Sequence, residues 1–190
     1  MRAHLAFTIT VLSALVLLTA CQQEKPPVNK TPLPSVAAAP YICDYIPLDA
    51  VRLMTGVENP LVKGDFDLTA GKDWGSGGCF VYLPTGDKLK ALDITLSPDG
   101  SKEEVDFEIS HGAKRLPDII PGAVGYYGQG GSTNNAQAAA VLVRGYDNLS
   151  IELVRGVKGR DNTADVVALM KLVAPKLILT TTPSPKKTTD

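Results

Sequence analysis

Histidine is the scarcest reactive residue in the chain. There are two in 190 residues, His4 and His111, and His4 falls in an N-terminal apolar segment. The rest of the chain therefore has one imidazole for any His-based zinc site or any Ser/His or Cys/His pair. Cysteine is nearly as rare, with Cys21, Cys43 and Cys79 and no Cys-x-x-Cys spacing. Neither sign of charge dominates: 19 Lys and Arg face 20 Asp and Glu, for a net charge of −1. That balance gives no electrostatic case for a nucleic-acid partner, which wants a basic face. Long apolar runs are also missing. The longest, residues 5–18, is roughly 14 residues, against the ~20 a spanning helix needs. No residue set calls for a metal or a cofactor.

What the chain does have begins at its N-terminus. Arg2 precedes the apolar run, which is interrupted only by Thr8, Thr10 and Ser13, and small residues lead into Cys21. This is the pattern of a secretory leader, which is not part of a fold. Leu18-Thr19-Ala20-Cys21 resembles the lipobox of bacterial lipoproteins. The resemblance implies diacylglycerol on the Cys21 sulfur, a palmitate-type acyl anchor, and cleavage before Cys21. Membrane lipid is then one expected partner, and the expected location is the cell membrane, facing the extracytoplasmic side. Residues 22–40 carry five prolines, Pro26, Pro27, Pro32, Pro34 and Pro40, and read as a linker. In polyproline II at ~3.1 Å per residue it would reach up to ~60 Å. Residues 180–190 hold no large apolar side chain and read as a disordered tail.

The remaining residues, 41–179, suit a single extracytoplasmic domain. Pro47 and Gly56 bracket a short helix with Leu48, Val51 and Met54 on one face. Residues 61–68 suggest a short strand, and 69–78 read as a glycine-rich loop around Trp74. Residues 79–83 and 89–96 read as paired strands, with Leu92, Ile94 and Leu96 alternating against Asp93 and Thr95. Ser101 and Glu104 fit a capping box for a second helix ending near Gly112. Residues 116–131 read as irregular, apart from a short strand at Tyr126 and Tyr127. Residues 136–144 and 149–155 read as a hairpin, the first apolar on both faces as a central strand would be. A last helix, capped by Thr163, carries a stripe of Val166, Leu169, Met170, Val173 and Leu177 and should end or kink near Pro175. The expected fold is α+β, a mainly antiparallel sheet with two to three helices packed on one face.

With Cys21 given to lipid, Cys43 and Cys79 remain as an even pair, and two such cysteines in an exported chain most often form a disulfide. The alternative, a redox pair, lacks the Cys-x-x-Cys spacing. A lipobox leader, a proline-rich spacer, Cys43-Asp44-Tyr45-Ile46-Pro47 before a short helix, and Gly78-Cys79-Phe80-Val81-Tyr82 together resemble an uncharacterised family of actinobacterial envelope lipoproteins. Ile120-Pro121-Gly122-Ala123-Val124-Gly125 with Tyr126-Tyr127 is similar to that family's mid-domain turn. The likeness implies an α+β extracytoplasmic domain of unknown function with a bridge, and no activity.

Other motifs fall short of their chemistry. Residues 125–131 are glycine-rich but lack the lysine of a phosphate loop, and Thr133 stands where a dinucleotide fingerprint wants its third glycine. Asp65, Asp67 and Asp73 suggest a calcium loop, yet Ala70 replaces the turn glycine and Ser76 the final glutamate. Ser76 and Ser132 lack a nucleophile elbow, and either would need His111 as base. The remaining lead is aromatic. Trp74, Tyr126 and Tyr127 lie among glycines in expected loops, a common way to build a binding surface. The expected function is a membrane-anchored binding or accessory module of the cell envelope that meets a protein, a glycan or a small ligand. The alternatives are a hydrolase-like enzyme and a regulatory subunit of a membrane complex.

Overall fold

The computed structural model describes residues 28–71, 74–84, 86–87, 89–130 and 137–178. Cys21 and the rest of the leader, the C-terminal tail, Asp73 and Ser132 lie outside these. Among the described residues, ten strands and three helices follow one another along the chain. They are β1 (Tyr41–Ile42), β2 (Ile46–Pro47), α1 (Leu48–Thr55), β3 (Leu61–Lys63), β4 (Phe66–Asp67), β5 (Ser76–Tyr82) and β6 (Lys90–Ser97). Then come α2 (Lys102–Ser110), β7 (Lys114–Arg115), β8 (Val124–Gly128), β9 (Ala138–Arg144), β10 (Asp147–Leu153) and α3 (Asn162–Leu177). β1 and β2 pair alone, and the main sheet runs β3-β5-β6-β10-β9-β8-β7, with β4 added against β5. All pairs are antiparallel. The class is α+β, as the alternating patterns require.

The register of the central strands decides everything packed on them. Ile151 of β10 sits between Ala140 of β9 and Ile94 of β6, and Leu149 sits between Leu142 and Leu96. These residues form apolar rows on one face. Ser150 sits between Val141 and Thr95, and Glu152 between Ala139 and Asp93, so the opposite face is largely polar. α1 and α3 cover the apolar face and bury Val51, Met54, Val166, Leu169, Met170 and Val173 in one core with Ile94, Ile151 and Ala140. α2 lies across β8 and β9 on the other face. Val105 is its only buried residue, while α3 buries eight.

Helix ends follow local chemistry. Gly56 closes α1 in the left-handed region at φ 70°, its N–H donating to the Arg52 carbonyl at 2.8 Å. The Ser101 hydroxyl accepts the Glu104 N–H at 3.2 Å, as the capping box predicts. α3 is capped by Asp161, where the sequence pattern points to Thr163. The Asp161 carboxylate accepts the Ala164 N–H at 3.0 Å and the Thr163 hydroxyl at 2.7 Å. A carboxylate also complements the positive end of the helix. These bonds, the Ala164 N–H first, hold its pKa below the usual range. α3 continues through the exposed Pro175 to Leu177, because buried Leu177 and Ile178 and the Ile178 N–H to Ala174 carbonyl bond of 2.9 Å secure its last turn.

Glycine misdirects the local reading at β5, which begins at Ser76 inside the expected loop. At Gly77, φ is 137° and a Cβ would lie 2.3 Å from the Asp65 carbonyl oxygen. Glycine here marks a close strand crossing, where β4 lies against β5. Gly125 likewise lies within β8 and not in a loop.

Cys43 and Cys79 are bridged, with Cα atoms 5.9 Å apart. The bridge joins the segment before α1 to the buried middle of β5. Residues 28–40 also lie against the domain. Leu33 is 8% exposed and belongs to the core. The Arg160 guanidinium makes a two-point pair with Asp165, at 2.7 and 2.8 Å, and donates to the carbonyls of Asn29 and Thr31. That pair is almost fully enclosed, at 3% and 7% side-chain exposure, and the Asp165 bond holds the guanidinium firmly protonated. The Tyr41 ring then lies 4.1 Å beneath the Lys176 ammonium at the far end of α3. Residues 28–41 therefore form a strap along α3, so the expected linker is part of the domain from residue 28 on.

Two losses of stability follow. The bridge closes 36 residues, so Cys43→Ser with Cys79→Ser should lower unfolding free energy by about 4 kcal/mol, read from denaturant midpoints of the oxidised wild type and the variant. Arg160→Ala strands the Asp165 carboxylate in the interior and should cost about 3–5 kcal/mol by the same assay.

Candidate functional site

The polar face of the sheet is only half covered, and the uncovered part is a cleft of about 920 Å³ between α2 and strands β6, β10, β9 and β8. Alternation puts Asn148, Ser150 and Glu152 of β10 on its floor. Tyr126 of β8 lies opposite Val141 and stands in the same wall. Glu104 and Glu108, four residues apart on α2, form the roof. Asp99 and Ser97 close one end, and Lys114 and Gly130 mark the other.

Electrostatics inside the cleft are negative. Burial, followed by the charges of Glu108, Glu104 and Glu152, pushes the Tyr126 phenol up to about 12. The Asn148 amide is oriented by its NH2, which donates to Asp99 at 3.1 Å. That bond leaves the Asn148 carbonyl oxygen buried without a hydrogen-bond partner. Asp99 also accepts the Ser97 hydroxyl at 2.6 Å. A half-buried phenol and converging carboxylates suit a ligand that brings N–H or O–H donors or a positive charge.

His111 lies at the C-terminal end of α2 in the cleft margin. Its Nδ1 is 2.9 Å from the Phe107 carbonyl and 3.1 Å from the Ser110 hydroxyl, and its ring lies against Phe107. Ser76 opens β5 at the opposite end of the sheet, so the structure does not bring these two expected partners together. Asp67 is engaged locally, accepting the Thr69 N–H and hydroxyl, each at 2.8 Å, which lowers its pKa. Among the described residues, no three His, Cys, Asp or Glu side chains converge to hold a metal ion.

Of the three expected aromatics, two stand at the cleft and Trp74 does not. Tyr126 and Tyr127 are neighbours on β8: Tyr126 enters the cleft opposite Val141, while Tyr127, paired with Ala140, packs on the core and also contributes to the cleft lining. Trp74 precedes β5, and its ring lies against Gly71, where a Cβ would fall 2.1 Å from it. Three strands separate β5 from β8, which amounts to roughly 19 Å at ordinary strand spacing. Tyr126 and Tyr127 thus both line the cleft and Trp74 does not, and the carboxylates and amide that complete it lie outside the expected aromatic surface. The signal was present in β10, whose Asn-Leu-Ser-Ile-Glu-Leu alternation marks one polar face.

No protein-family model, no curated protein and no solved structure matches this chain. Among the described residues, no helix is long and apolar enough to cross a membrane.

The shifted phenol has a measurable consequence. Its folded pKa of about 12 exceeds the ordinary 10.0, so the folded state holds this proton more tightly. The stability it contributes is complete below pH 10 and falls as pH rises toward 12. Ultraviolet titration should show one tyrosine ionising last, and Tyr126→Phe should remove that step and part of the alkaline loss of stability. Glu108→Gln should move the step down.

Proposed function

We propose that the chain is a lipid-anchored extracytoplasmic protein, held by Cys21, whose domain acts as a binding or accessory module of the cell envelope through the α2 cleft. The observation that carries this reading is the cleft itself: an open, polar, negatively biased space over the polar face of the sheet. Such a concavity with few convergent polar groups is the usual form of a ligand site. The preferred occupant is an amine, a guanidinium or a hydroxyl-rich group, presented by an envelope protein, a glycan or a small molecule. The lipobox pattern and the cysteine pair support export.

Metabolic labelling with a palmitate analogue should mark the wild type and leave Cys21→Ser unlabelled and released from membranes. A Cys21→Ser form that fractionates and migrates as wild type would remove the anchor. For the cleft, a photo-crosslinking side chain at Tyr126 in intact cells should give a discrete adduct that weakens with Glu108→Gln. The same group at Val36, exposed on the strap at the opposite face, should give none. Equal adducts from both positions would defeat the cleft as the site.

A further inference from the structure

The strap fixes where the chain leaves the domain. Arg160 grips the Asn29 and Thr31 carbonyls, and a Cβ at Gly159 would meet Val28 at 3.6 Å. The N-terminal segment therefore departs beside the loop that joins β10 to α3. The same end of the sheet holds the β5–β6 turn, since Leu153 pairs with Leu92 and the Val154 N–H bonds the Ala91 carbonyl.

Seven steps of chain separate Val28 from Cys21, so the domain can stand no more than about 25 Å from the residue that carries the anchor. This end also has a suitable surface. Lys30, Arg155 and Lys158 are exposed there, as is Leu89 at 41%. Of the acidic residues nearby, Asp165 is neutralised by Arg160 and Asp161 is turned onto the α3 N-terminus. Asp87 in the β5–β6 turn is exposed, as is Glu58 after α1, which lies beside Arg52.

We propose that this end, centred on Lys30, Arg155 and Lys158, is a membrane-facing surface that docks on the anionic lipid leaflet holding Cys21. The inference rests on the lipid-anchor reading for its setting. The short tether brings the basic residues within reach of the leaflet, and each then adds about fivefold to the affinity for an anionic surface. The opposite end, with Tyr146 70% exposed, points outward.

The test uses the mature chain from Cys21, its thiol coupled to a maleimide lipid in phosphatidylglycerol/phosphatidylcholine vesicles that carry a headgroup nitroxide. In a Trp74→Phe background, Leu89→Trp and Tyr146→Trp report on ends about 25 Å apart along the strands. Leu89→Trp should be quenched severalfold more than Tyr146→Trp. The difference should shrink with Arg155→Glu/Lys158→Glu, in high salt, and on vesicles without phosphatidylglycerol. Equal quenching at the two ends, or quenching indifferent to those charges, would overturn the proposal. Because the attachment is chemical, this outcome does not depend on whether cells acylate Cys21, which the palmitate label decides separately.

Discussion

The structure depends on the pairing of β10 between β6 and β9. β6 and β10 alternate while β9 is apolar on both faces, and the antiparallel register aligns the Leu and Ile residues of the three on one face. The face rich in Leu and Ile must be covered, and α1, α3 and Leu33 of the strap cover it. The other face carries Ser150, Glu152, Thr95 and Asp93, and needs little cover. α2 therefore makes a light contact, and what it leaves open is the cleft. Core and candidate site are thus two consequences of one period-2 pattern.

The covalent and ionic ties serve the apolar side. The Cys43–Cys79 bridge holds the start of α1 to β5, and the Arg160–Asp165 pair holds the strap to the start of α3. Both act on the N-terminal segment, which local secondary structure would secure poorly, since β1 and β2 are two residues each. The result is a domain whose N-terminal exit is rigidly placed. In the proposed setting, that placement orients the whole body relative to the membrane.

Much of the fold was legible because strong patterns are local. The α3 stripe, the Ser101 cap, the Gly56 stop and the alternation of β6 could all be read directly, and the cysteine pairing followed from counting. The failures were long-range. The prolines of 26–40 suggest a free spacer, but Leu33 has a core pocket and Arg160, about 130 residues away, bonds the backbone around it. Gly77 and Gly78 suggest a loop, but they admit a neighbouring strand. Tyr126 and Tyr127 pattern with Trp74 as one aromatic surface, but they stand on β8 beside the cleft, three strands away from β5 and Trp74. Nothing local to Glu104, Glu108 or Asn148 reveals that they face each other, because tertiary packing alone brings α2 over β10.

The central claim is that the two faces of the sheet are held unequally. Native-state hydrogen exchange of the oxidised chain tests it most directly, because local opening free energies follow buried contact. The amides of β6, β9, β10 and α3 should exchange only through global unfolding, while those of α2 exchange through a smaller opening that leaves the rest intact. Protection of α2 equal to that of α3, or loss of β10 protection before that of α2, would contradict the account.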